Sequence, residues 1–154
     1  MDETQVLYNI PYIPVKITNI VEGDFSYFEE TLLMDLPILQ LANICFDINR
    51  VEDNYDVIVN FNYKLAKEDK PLLKIQLSCH FAINKEIGDK LLYNEGLLLP
   101  KEYIKAIVIN TISTTRGILY ANTKHTEFNK YIIPSLEEEI NFSEHILIPL
   151  VPID

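Results

Sequence analysis

The side chains able to do chemistry are few and scattered. His80, His125 and His145 show no HxH or HExxH spacing, so no two are placed to share a metal. Each reads as a surface or sheet histidine. Cys45 and Cys79 form no CxxC pair and lie in apolar runs, which predicts buried, reduced thiols. Cys79 and His80 are neighbours on an alternating strand, so their side chains point to opposite faces and cannot pair. No GxSxG elbow is present. The only glycines, Gly23, Gly88, Gly96 and Gly117, are too widely spaced for a phosphate-cradling loop. The acidic run Glu137–Glu139 reads as a solvated helix start rather than a paired-carboxylate site. These residues predict a non-enzyme with no metal and no cofactor.

What the sequence has in surplus is apolar side chains outside regular patterns. Val21 to Leu41 holds Phe25, Tyr27, Phe28, Leu32, Leu33, Met34, Leu36, Ile38 and Leu39 with no single period. It reads as a long connection, of the kind that tends to be functional. The alternative is a strand from Tyr27 to Met34 inside the sheet. A second cluster is Phe128, Tyr131, Ile132 and Ile133. Aromatics, leucines and a flexible methionine suit promiscuous recognition of apolar segments, and an extended ligand can add main-chain hydrogen bonds along a strand edge.

The elements that must position these clusters follow from periodicity. Tyr55–Leu65 and Leu72–Ile83 alternate with period two. Val57, Val59, Phe61, Tyr63 and Leu65 share one face of the first, as do Leu73, Ile75, Leu77, Cys79, Phe81 and Ile83 of the second. The polar turn Lys67–Pro71 joins them as an antiparallel hairpin. Ala42, Ile44, Phe46 and Ile48 make a third run, followed by an Asn49–Asn54 linker. Val15–Ile20 is a weaker fourth, confined to an edge by Pro11 and Pro14.

A helix starts near Pro100. Ile104, Ile107, Val108, Thr111, Ile112, Thr115 and Leu119 follow the i, i+3, i+4, i+7 pattern, and Gly117 either caps the helix or is carried within it. From Ala106 to Thr115 no residue is charged. A helix uncharged all round is covered on both sides. One side suits the chain's own sheet. The other, Ala106, Asn110, Ser113 and Thr114, suits a second copy of the helix and predicts a homo-oligomer. Ser135 begins a short acidic helix with Glu138 completing a capping box. The proline-punctuated tail Ile146–Ile153 reads as extended, docked on the body or covering a partner.

The composition sets limits. The chain has 154 residues, one domain's worth, and a net charge of −10 from 13 basic and 23 acidic residues. That balance excludes a sequence-independent nucleic-acid binder and disfavours an anionic membrane. No basic stretch precedes an apolar one at the N-terminus, and no apolar run approaches the ~18 residues of a spanning helix. These features lead us to expect a cytoplasmic protein with neither signal peptide nor membrane insertion.

The order of elements resembles the SecB export chaperones and their SecB-like relatives from about Ile44 to Pro134. Phe46-Asp47-Ile48-Asn49, a polar hairpin and Tyr55-Asp56-Val57-Ile58-Val59 resemble that family's second and third strands. His80-Phe81-Ala82-Ile83 resembles the end of its fourth. Leu99-Pro100 and a helix ending in Arg116-Gly117 resemble its main helix. Ser113-Thr114-Thr115-Arg116-Gly117-Ile118-Leu119-Tyr120-Ala121 is especially similar to the SecB-like branch.

The resemblance implies one α+β domain over 1–154, with an N-terminal arm at 1–13 and a short helix and extended tail at 135–154. Its core would be a four-stranded antiparallel sheet with a long helix packed on it after the strands. It implies a dimer of dimers formed through helices, and an ATP-independent holdase for unfolded or preprotein polypeptides, possible in protein export. The client surface would comprise Phe25, Tyr27, Phe28, Leu33 and Met34 of the crossover and Phe128, Tyr131 and Ile132 after the helix.

There are departures. The helix is about one turn longer than in the export chaperones, Lys74 stands where translocase-linked members carry an acidic residue, and the tail lacks basic residues. These weigh against coupling to the export translocase ATPase. They leave open a dedicated chaperone or adaptor of the toxin–antitoxin type. A hot-dog-type enzyme is the remaining alternative, but its helix precedes most of its strands.

Overall fold

The computed structural model describes residues 12–136 and 146–150. The chain is α+β. A four-stranded antiparallel sheet has the order β1 (Ile17–Tyr27), β4 (Lys70–Asn84), β3 (Asn54–Lys67) and β2 (Ile38–Val51). The long helix α3 (Lys101–Asn122) follows the strands. Between β1 and β2 lies the short helix α1 (Glu29–Leu32). Helix α2 (Lys85–Lys90) and strands β5 (Leu92–Tyr93) and β6 (Gly96–Leu99) lie between β4 and α3.

The β3–β4 hairpin forms where strict alternation predicts it. Val57 pairs with Phe81, Phe61 with Leu77 and Tyr63 with Ile75, so one face is continuous apolar surface. Helix α3 lies across β3 and β4 on this face. Its stripe Ile104, Ile107, Val108, Thr111, Ile112, Thr115 and Leu119 is buried, as its spacing requires, together with Tyr103. Pro100 stands one position before the helix as its N-cap, and Gly117 is carried within the helix, which runs past it to Asn122.

Several expectations need correcting. The connection Val21–Leu41 is mostly sheet: β1 runs on to Tyr27 and β2 starts at Ile38, leaving a crossover of residues 28–37. The alternative strand Tyr27–Met34 does not form either, because the chain turns into α1 after Tyr27. The linker Asn49–Asn54 is a tight hairpin, as the resemblance implies, with Val51 paired to Asn54 and Glu52 in a left-handed conformation at φ 46°. Cys45 is exposed and only Cys79 is buried. Two irregularities interrupt the β1 register, between Ile17 and Asn19 and between Glu22 and Phe25. Strand β1 does occupy a sheet edge, where the prolines before it place it.

The tail docks on the body. Strand β7 (Ile146–Pro149) pairs with β6, making a second sheet of order β5-β6-β7, and Leu150 bridges to Ile48. Of the arm at 1–13, Tyr12 and Ile13 are described, and Ile13 is buried in the core. Glu137–Glu139 of the expected acidic helix, and His145, lie outside the described residues. No helix among the described residues is long and apolar enough to cross a membrane.

Candidate polypeptide-binding surface

A lysine anchors the crossover, beside the packing of Leu32 against the core. Lys67, at the end of β3, is buried. Its Nζ donates to the Leu32 carbonyl at 3.0 Å and the Met34 carbonyl at 2.7 Å. A charge can be buried like this only because polar partners surround it. The bond to Leu32 satisfies a carbonyl that the single turn of α1 leaves open. The Phe28 amide donates to the Leu72 carbonyl at 3.0 Å, prolonging the β1–β4 ladder into the crossover.

This anchoring brings together two segments distant in sequence. Beyond α3, Thr126 caps a 3-10 turn, Glu127–Lys130, by accepting from the Phe128 amide at 3.1 Å. The turn delivers the Phe128 ring to within 4.7 Å of the Tyr27 ring, centroid to centroid. Phe25 lies 5.9 Å from Tyr27, and Tyr131 lies 6.3 Å from Phe128. The four rings form one tilted series, a favourable geometry for aromatic pairs. Phe128 is its buried floor at 1% exposure, whereas Tyr27 is 40% exposed. A cavity of about 400 Å³ opens beside it, lined by Glu29, Leu32, Leu33, His125, Thr126, Glu127 and Phe128. Leu33, 84% exposed, stands on its rim; Ile132 is 60% exposed in the segment after the 3-10 turn.

Of the eight residues expected to bind clients, Phe25, Tyr27, Phe128 and Tyr131 share the ring series, and Leu33 lines the adjoining cavity with Phe128. Ile132 follows Tyr131 with its side chain in solvent. Met34 is half-buried and contributes its carbonyl to Lys67. Phe28 is placed elsewhere: its ring centroid lies 6.0 Å from the Lys74 ammonium, and Lys74 pairs with Ser26 and Lys64 on the face away from α3.

The four residues expected to meet a second copy differ among themselves. Asn110 and Ser113 are exposed, while Ala106 and Thr114 are half-buried. Asn110 Nδ2 donates to the Ala106 carbonyl at 2.9 Å and Thr114 Oγ1 to the Asn110 carbonyl at 2.8 Å. The Asn110 amide and the Thr114 hydroxyl thus each donate within the helix. Thr114 also neighbours Cys79, whose thiol pKa burial raises, with the Thr111 and Thr114 hydroxyls acting the other way.

Sequence reasoning did not find Lys67, since a lysine closing a strand carries no sign of what it will reach. It also missed the polar network on the sheet face turned away from α3. There His80 Nδ1 meets Asp56 at 2.8 Å, Ser78 donates to Asn60 at 2.5 Å and Asn60 donates to Asp47 at 3.1 Å. The signal was present in the alternation, but pairing these residues needs the register. Among the described residues no group of three His, Cys, Asp or Glu is placed to hold a metal. No family model matches the chain, and no curated protein matches it.

Proposed function

We propose that the chain is an ATP-independent holding chaperone of the SecB-like kind, which binds unfolded or preprotein polypeptides on exposed apolar surface and catalyses no reaction. The observation that carries this reading is the joining of the end of β1 to the segment after α3 through Tyr27 and Phe128. A rigid aromatic floor with exposed leucine and isoleucine nearby offers area without demanding a sequence, as a holdase requires. Glu29 and Glu127 on the cavity's lining keep it wetted when empty.

The working form is a homo-oligomer, a dimer of dimers, in which the outward faces of α3 meet through Asn110 and Ser113. The clients are many, or one dedicated partner of the toxin–antitoxin type; Lys74 and the tail without basic residues favour a system not coupled to the export translocase. The test is suppression of aggregation of a slowly refolding client by the assembled protein without nucleotide. A requirement for ATP would remove the reading.

A further inference from the structure

Lys64 and Lys74 are direct partners across β3 and β4 on the sheet face turned away from α3. Like charges placed opposite each other on a sheet repel. Among the described residues neither lysine has a carboxylate within ion-pair distance, although the chain carries 23 acidic residues. Among the described residues Lys64 has no hydrogen-bond partner, and the Lys74 ammonium lies 6.0 Å from the Phe28 ring centroid.

The next rung repeats the pattern with amides. Asn62 and Gln76 are partners across the same strands, and neither side chain is hydrogen-bonded among the described residues. Gly23 makes room for this rung, since a Cβ there would approach Gln76 Oε1 to 3.0 Å. Elsewhere on this face polar side chains satisfy one another, His80 with Asp56 and Ser78 with Asn60.

These four side chains line a depression of about 520 Å³, with Leu41 and Asn43 of β2 on one side and Asp24 of β1 on the other. We propose that it binds an acidic peptide segment in extended form, independently of the holding surface. One carboxylate seats between Lys64 and Lys74. Rungs of the same face are about 6.6–6.8 Å apart, the two-residue repeat of an extended chain, so the next residue but one lies over Asn62 and Gln76. Leu41 takes an apolar neighbour. Asp24 repels a second carboxylate at the β1 side, so the site selects an isolated acidic residue over a polyacidic run. Binding an anion also relieves the repulsion between the lysines.

The test uses a short fluorescent peptide with one aspartate between leucines, its asparagine twin, and the full chain, read by anisotropy. The aspartate peptide should bind more tightly than its twin, by up to about fivefold per lysine, and the difference should shrink with added salt. Lys64→Gln with Lys74→Gln should erase the difference while melting no lower than the parent, because like charges have been removed. Leu33→Ser with Ile132→Ser, which alters the proposed holding surface, should leave the difference intact. Equal binding of the two peptides, or a difference that survives loss of both lysines, would overturn the proposal. So would displacement of the peptide by inorganic phosphate at matching concentration, which would make this a small-anion site.

Discussion

Tyr27 closes β1 and its ring lies 4.7 Å from Phe128, beyond the far end of α3. One contact thus joins the first strand of the sheet to the turn that follows its helix, and divides the expected client residues into floor and surface. Phe128→Ala removes a fully buried ring and should cost about 3–5 kcal/mol of stability. Leu33→Ser and Ile132→Ser change side chains already in water and should stay within about 0.5 kcal/mol. Urea denaturation of the three variants checks the division. Phe25 packs against the core, so Phe25→Ala should fall between these extremes.

Lys67 is expected to hold the crossover. Lys67→Met keeps the apolar stem but leaves the Leu32 and Met34 carbonyls without their donor, a loss of about 1–3 kcal/mol. The loss should be local. Hydrogen exchange should quicken at the Leu32 and Met34 amides, which bond within the crossover, well before it does in the β3–β4 ladder.

The Tyr55–Asp89 pair ties α2 to the sheet and makes stability depend on acid. The Tyr55 hydroxyl donates to Asp89 at 2.6 Å. That bond holds the Asp89 carboxyl below its usual range, with Lys85 and Arg50 adding to it. A carboxyl lowered in the folded state stabilises above its unfolded pKa, near 4, and loses that contribution as pH falls through its lower folded value. Thermal melts of Tyr55→Phe and the parent should therefore converge as pH drops below about 4. Gly88 supports the same contact, since any Cβ there would collide with the Tyr55 ring. Gly88→Ala should cost about 1–3 kcal/mol at any pH.

The proposed assembly has a direct probe in Gly117. A Cβ there meets nothing within 4 Å in a single chain. On helix propensity alone Gly117→Ala should stabilise by up to about 1 kcal/mol. Ser113→Glu would force a charge into the proposed helix interface and should dissociate the assembly. Light scattering at micromolar concentration reads the outcome. A folded parent that is monomeric there would contradict the oligomer.

The β3–β4 hairpin and the buried stripe of α3 were legible because one face of each is fully covered, which imposes a strict period. The edge strands were not. Strand β1 carries two register irregularities, between Ile17 and Asn19 and between Glu22 and Phe25, so no single alternation runs its length. In β2 coverage on the α3 side falls away from buried Ile48, through half-buried Phe46 and Ile44, to exposed Ile38. Apolar residues such as Leu39 and Leu41 therefore occur on its other face too, and Ile38–Leu41 shows no alternation. The β5-β6-β7 sheet escaped because Leu97, Leu98 and Leu99 are all buried. A strand covered on both faces has no period to read.

The holding function itself is tested most directly by following light scattering of a slowly refolding client, with the parent protein and with Leu33→Ser/Ile132→Ser, in the absence of nucleotide. The parent should suppress aggregation at about one assembly per client. The variant, folded and assembled as the parent is, should suppress it roughly tenfold less efficiently, since each large apolar contact contributes about 1.5–3 kcal/mol when fully buried and partial coverage gives less. A parent that leaves aggregation unchanged, or a variant that protects as well as the parent, would contradict the account.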